Sequence, residues 1–164
     1  MRMECSAMIS QTVRFVRGFA AMLVFAILAG CAAEGPVSAP STDMKADRAV
    51  AVALQQVGVA YRYGGSTPGG FDCSGLVYYS YAQAGKTVPR TTASLWSGLQ
   101  PVSKSQMRAG DVLFFRISGK MSHVALYIGG DEFVHAPSSG KVVSVGSLRS
   151  EFYDDAFIRA GRPN

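Results

Sequence analysis

The chain is 164 residues long, 48% hydrophobic and 16% charged, with 16 Lys+Arg against 11 Asp+Glu and a formal net charge of +5. That length supports one domain once a targeting segment is removed. The basic residues are scattered and the sequence holds no internal repeat, which excludes the clustered charge that nucleic-acid binding requires. Arg14 and Arg17 precede an apolar run, Phe19 to Leu28. At about ten residues it is too short to span a bilayer and has the length of a signal-peptide h-region.

The run ends in Leu28-Ala29-Gly30-Cys31, which resembles the lipobox of bacterial lipoproteins. The resemblance implies that residues 1–30 are a signal peptide and that Cys31 carries diacylglycerol as the first mature residue. Ala32, rather than Asp, follows the cysteine, which by the same resemblance directs the protein to the periplasmic side of the outer membrane. An ordinary signal peptide cut near Ala29 is the other reading of these residues. Residues 1–7 fit no part of a signal, so Met8 is an alternative start. Processing would remove three basic residues and one acid, leaving a mild positive excess that suits an anionic polymer such as the cell wall. Residues 31–42 are small, polar and Pro-containing and read as a lipidated flexible tether.

Ser41 or Thr42 can cap a helix from about Asp43 through Gln56, ending at Gly58, with Val50, Ala53, Leu54 and Val57 on its packing side. Tyr61-Arg62-Tyr63 is a short extended piece ahead of Gly64-Gly65. Leu76 to Ala84 is an apolar run stopped by Gly85, a buried helix with Asp72 as N-cap and Cys73 in its first turn. A turn at Pro89 leads to a short helical piece near Ala93–Ser97. The second half is rich in strand formers at Asp111–Ile117, His123–Ile128, Glu132–Ala136, Lys141–Val145 and Ala156–Ala160. Helices first and strands afterwards predict an α+β domain over 43–164, its helices packed on a central antiparallel sheet of about five to six strands.

After processing, Cys73 is the remaining unmodified thiol of an exported chain, without a disulfide partner. It is either inert and buried or present for its reactivity. Its polar, glycine-flanked context and its place at a helix N-terminus, where the macrodipole favours a thiolate, point to a nucleophile. A thiol nucleophile needs a base, and the base needs a group that orients it. His123 and His135 are twelve residues apart on two predicted strands. Gly129-Gly130-Asp131, as a three-residue loop, would bring both imidazoles to one face. A Cys-His-His zinc site is disfavoured because the paired metal-ligand spacings are missing, so no metal or cofactor is expected.

The blocks Tyr61-Arg62-Tyr63-Gly64-Gly65, Phe71-Asp72-Cys73-Ser74-Gly75-Leu76-Val77, Pro89-Arg90-Thr91, Ala109 to Phe115, Ser122 to Gly129 and Phe133-Val134-His135-Ala136 together resemble the NlpC-type cell-wall peptidases, papain-like cysteine hydrolases. The resemblance implies a papain-like fold with Cys73 as nucleophile, His123 as base, His135 as the orienting residue and Tyr61 as an oxyanion donor. It implies substrate contacts at Asp72 and Ser74, whose plainer roles are helix cap and first-turn residue. Arg90 is either a cation of the substrate groove or the partner of Asp111, which itself reads as a turn-former; Trp96 reads as a packing residue. The implied substrate is a peptidoglycan stem or cross-link amide involving diaminopimelate. A non-catalytic wall-binding lipoprotein and a papain-like amidase or acyltransferase are the rival readings.

Overall fold

The computed structural model describes residues 42–164; the leader, the Cys31 lipidation site and residues 31–41 of the tether lie outside the described residues. Helix α1 (Thr42–Leu54) opens the described part. Its covered face is built on Ala49 and Ala53, with Val50 packed alongside. Leu54 and Val57, expected on that face, are exposed, because the helix ends at Leu54 and the chain turns away there. The N–H of Gly58 then donates to the Val143 carbonyl, and the N–H of Val143 to the Val59 carbonyl.

A two-stranded ribbon, β1 (Ser66–Thr67) and β2 (Gly70–Phe71), leads into α2 (Cys73–Gln83). Asp72 caps α2, and Gly85 closes it in a Schellman arrangement: the Lys86 N–H donates to the Tyr81 carbonyl and the Gly85 N–H to the Ala82 carbonyl. Leu76, Val77 and Tyr81 of α2 are buried. Helix α3 (Thr92–Gly98) follows the Pro89 turn.

The sheet has six antiparallel strands: β3 (Gln100–Val102), β4 (Val112–Ile117), β5 (Lys120–Gly129), β6 (Glu132–His135), β7 (Ser144–Ser147) and β8 (Phe157–Arg162), in the order β3-β8-β4-β5-β6-β7. Alternation gives it two apolar faces. Phe114, Val124, Leu126 and Val134 face the helices α1, α2 and α3, while Leu113, Phe115, Ala125 and Phe133 pack with Tyr153 and Ala156 of a last helix, α4 (Glu151–Ala156). Among the described residues no helix is long and apolar enough to cross a membrane.

Four features differ from expectation. The strand predicted at Lys141–Val145 pairs in the sheet only from Ser144 onward, because Val142 and Val143 bond back to Val59 and Ala60. Helix α4 is too short to show a period, and β3 contains Pro101, which suits an edge strand but hides it in the sequence. The β5–β6 turn is Gly130-Asp131, two residues that both have positive φ, as a type I′ turn requires. Ile128 is an extra residue in β5 between the Tyr127–Phe133 and Gly129–Glu132 pairs. The bulge restores the parity that a three-residue loop would have supplied.

Candidate active site

The N-terminus of α2 is fixed by one carboxylate. Asp72 Oδ1 accepts from the Gly75 N–H at 2.6 Å, from Ser74 Oγ at 3.1 Å and from Arg90 Nη1 at 2.9 Å, and Oδ2 accepts from Arg90 Nη2 at 2.8 Å. Arg90 also donates to Ser74 Oγ at 3.0 Å and to the Gly65 carbonyl at 3.1 Å. Burial opposes charge on Asp72. The hydrogen bonds from Arg90 and Gly75, the Arg90 charge and the Ser74 hydroxyl outweigh it and hold the carboxyl below its ordinary range. Arg90 is thus the partner of Asp72 and not of Asp111, the alternative the sequence left open. Asp111 belongs to Arg162, because the Val112–Gly161 pair of β4 and β8 brings their neighbours together.

Gly75 explains the glycine after Cys73-Ser74. A Cβ there would lie 1.9 Å from the Gly65 carbonyl oxygen, a backbone atom that cannot swing away. Gly75→Ala is therefore expected to lower stability by about 1–3 kcal/mol and to disturb the first turn of α2, read as a lowered thermal midpoint. An unchanged midpoint would show that this loop yields freely.

Cys73 is a free thiol, half-buried in the first turn. Its sulfur lies 3.9 Å from Thr92 Oγ1 and receives the backbone N–H of Val124, which is part of the peptide joining His123 to Val124. The last registered β5–β6 pair is Leu126–Val134, and the Cys73 sulfur meets β5 beyond it, at Val124. Burial pushes the thiol up. The N–H of Val124, the Thr92 hydroxyl and the N–H of Ser74 favour the thiolate, while the nearby Asp72 opposes it. The helix N-terminus was expected to favour the thiolate; at rest, burial outweighs that help.

His123 and His135 are 5% and 3% exposed, and His123 Nε2 lies 2.8 Å from His135 Nδ1, so the shared face anticipated from their spacing is present. Phe115 flanks His123, while Phe133 and Tyr153 stand edge-on to His135. Burial, and after it His135, pushes His123 down to about 3; burial, and after it the Lys141 charge, pushes His135 down to about 4. Both rings are neutral at neutral pH. Among the described residues Cys73 makes no hydrogen bond to an imidazole; its sulfur meets the His123 peptide instead.

Tyr61 is held by its N–H donating to the Lys141 carbonyl at 2.8 Å and by a bridge to Phe71. Burial raises its phenol, and the nearness of Cys73, Asp72 and Tyr63 raises it further, so it stays protonated beside the thiol. Trp96 packs edge-on to Phe114 at 5.2 Å, the packing role expected of it. The contact missed in the sequence is Thr92, the second of two threonines opening α3. Among the described residues no group of three or more His, Cys, Asp or Glu is arranged to hold a metal ion.

The NlpC/P60 family model matches residues 58–162, which contain every residue of this cluster. The chain is 37% identical over 115 residues to the murein DD-endopeptidase MepH of Escherichia coli, covering 66% of this chain and 42% of that protein. It superposes on the crystal structure of the NlpC/p60 domain of the peptidoglycan hydrolase SagA with a TM-score of 0.63 at 37% identity, over 72% of this chain and 98% of that one. A Staphylococcus aureus structure described as similar to lipoprotein, of the NLP/P60 family, gives a TM-score of 0.67 at 32% identity, over 78% of this chain and 44% of that one. The chain spans less than half the length of the relatives it matches in sequence.

Proposed function

The chain belongs to the NlpC/P60 family, and from that membership and the meeting of Cys73 with the His123 peptide we propose that it is a cysteine-type peptidoglycan endopeptidase. The bond is an amide of the stem peptide or cross-link that involves diaminopimelate. The single observation that carries the chemistry is the 2.8 Å contact between His123 Nε2 and His135 Nδ1. It occupies one nitrogen of His123 and leaves Nδ1 for the proton of Cys73. In that tautomer His123 Nε2–H donates to His135 Nδ1, and His135 carries its own proton on Nε2.

The mechanism follows. His123 Nδ1 takes the thiol proton, and the sulfur attacks the scissile carbonyl carbon. The negative oxygen is met by the Tyr61 hydroxyl and a backbone N–H at the start of α2. His123 returns the proton to the leaving amine, and water then cleaves the thioester. No metal or cofactor enters. Arg90, about one third exposed, is the part of the Asp72–Ser74–Arg90 cluster most open to a stem carboxylate; Asp72 and Ser74 hold it there. Cys31, outside the described residues, carries the lipid in this proposal and anchors the protein on the periplasmic side of the outer membrane. The lipobox-like Leu28-Ala29-Gly30-Cys31 supports that placement.

The test is digestion of purified muropeptides by the purified chain, with products identified by mass. New fragments split at a diaminopimelate amide are expected. Fragments cut only in the glycan, or muropeptides left intact, would overturn the proposal.

A further inference from the structure

Thr92 touches the Cys73 sulfur and takes part in none of the steps just given. The two threonines at the start of α3 do different work. Thr91 Oγ1 caps the helix, accepting the Ser94 N–H at 3.2 Å and pairing with Ser94 Oγ at 2.7 Å. The Thr92 side chain makes one hydrogen bond among the described residues, to Cys73 Sγ at 3.9 Å. We propose that Thr92 is a further catalytic residue whose hydroxyl donates a hydrogen bond to the Cys73 thiolate. The proposal rests on Cys73 being the nucleophile.

The segment carrying Thr92 is held firmly. Leu95 is fully buried, and the last turn of α3 is gripped from β8, where Arg159 donates through Nη2 to the Trp96 carbonyl and stacks its guanidinium 3.8 Å from the indole centroid. A cation at the carbonyl end of a helix complements its dipole. Arg159 Nε and Nη1 are buried there without hydrogen-bond partners. Thr92 is therefore presented to the sulfur by a fixed element and not by a mobile loop.

The chemistry asks for such a donor. Burial already raises the thiol, so charge on the sulfur must be met by the protein. Around Cys73 stand Asp72 and Ser74 at the start of its own helix, Tyr61 from the preceding segment, Arg90 from the α2–α3 connection, and the Val124 N–H from β5. Asp72 repels a thiolate, and its own carboxylate takes up the Arg90 guanidinium. The near donors are the N–H groups of Val124 and Ser74 and the Thr92 hydroxyl. Thr92 keeps its proton throughout: the sulfur electron pair forms the C–S bond, and the hydrogen bond weakens as charge passes to the carbonyl oxygen.

The experiment is alkylation of the full chain by iodoacetamide across a pH series, with the Cys73 peptide quantified by mass so that Cys5 and Cys31 do not contribute. Thr92→Val is expected to raise the midpoint of Cys73 reactivity by about one pH unit, the scale of a single charge-assisted hydrogen bond. Below the midpoint, a tenfold loss of thiolate offset by greater intrinsic nucleophilicity leaves the rate about threefold lower. Thr92→Ala carries the same expectation without the added methyl, and Thr92→Ser is expected to stay near wild type. An unmoved midpoint in the Val and Ala variants overturns the proposal, as does a Ser variant shifted as far as Val. The readout needs no substrate. Failure of the peptidase reading would leave the shift in place with muropeptides intact, and failure of the Thr92 role would leave cleavage in place without the shift.

Discussion

Replacing His123 with alanine is expected to lower kcat/KM on muropeptides by about 10³–10⁴-fold, because in the proposed mechanism one group serves as base for the thiol and acid for the amine. The ring is buried, so the change also leaves a cavity and removes a partner of His135, and rates should be normalised to the folded fraction. His135→Ala is expected to cost about 10²-fold, and His135→Asn, whose amide oxygen can accept from Nε2, to recover part of that. The wild-type acid limb follows from burial. Both histidines have folded pKa values below the ordinary 6.5, at about 3 and about 4, so the proposed base stays neutral below the usual histidine range. Activity normalised to folded protein should therefore hold from pH 7 to about pH 5. Stability runs the other way. The unfolded chain takes up protons near pH 6.5 that the folded one refuses, so the contribution of this pair is complete above that pH and is lost as pH falls toward 4. An acid limb at 6.5, measured on folded protein, would contradict the neutral pair.

Asp111→Ala is expected to destabilise the domain by about 3–5 kcal/mol, the range for breaking a buried ion pair from one side. The side chain of Asp111 is 2% exposed and that of Arg162 is 23% exposed. The carboxylate accepts Arg162 Nε and Nη2 at 2.8 Å each, and the Arg108 N–H at 2.9 Å. Alanine would leave the Arg162 charge half sheltered against the sheet and open the turn that starts β4. Chemical denaturation of the variant beside Asp111→Asn measures it. A loss under about 1 kcal/mol in the alanine variant would show that water replaces the carboxylate without strain.

The parts of the site legible in the sequence are those set by local rules. Asp72 before an apolar run is an N-cap, Gly85 is a terminator, and His123 and His135 are tied by strand parity. Even there the parity came from a two-residue turn plus the Ile128 bulge, since Gly130-Asp131 can form a type I′ turn and sequence does not reveal where a strand takes an extra residue. The α+β class was legible because its strands are rich in β-formers. Helix α4 and strand β3 were not, being too short for a period and, for β3, interrupted by proline. Long-range partners escaped most completely. Arg90 chooses Asp72 over Asp111 because the loop from Gly65 to Asp72 packs against α2, and Thr92 reaches Cys73 because Arg159, 67 residues later, holds α3 in place. The thiol itself shows the limit of a local argument: a helix N-terminus favours its charge, yet burial among Val124, Thr92 and Asp72 decides its resting state.

In the proposed mechanism Cys73 forms the covalent intermediate. The direct measurement is an acid-quenched mixture of enzyme and muropeptides, with wild type and Cys73→Ala analysed side by side for products and for the mass of the residue-73 peptide. An acyl adduct on Cys73 and new stem fragments are expected in the wild type, and neither in the variant. Fragments released by Cys73→Ala at the wild-type rate would contradict it.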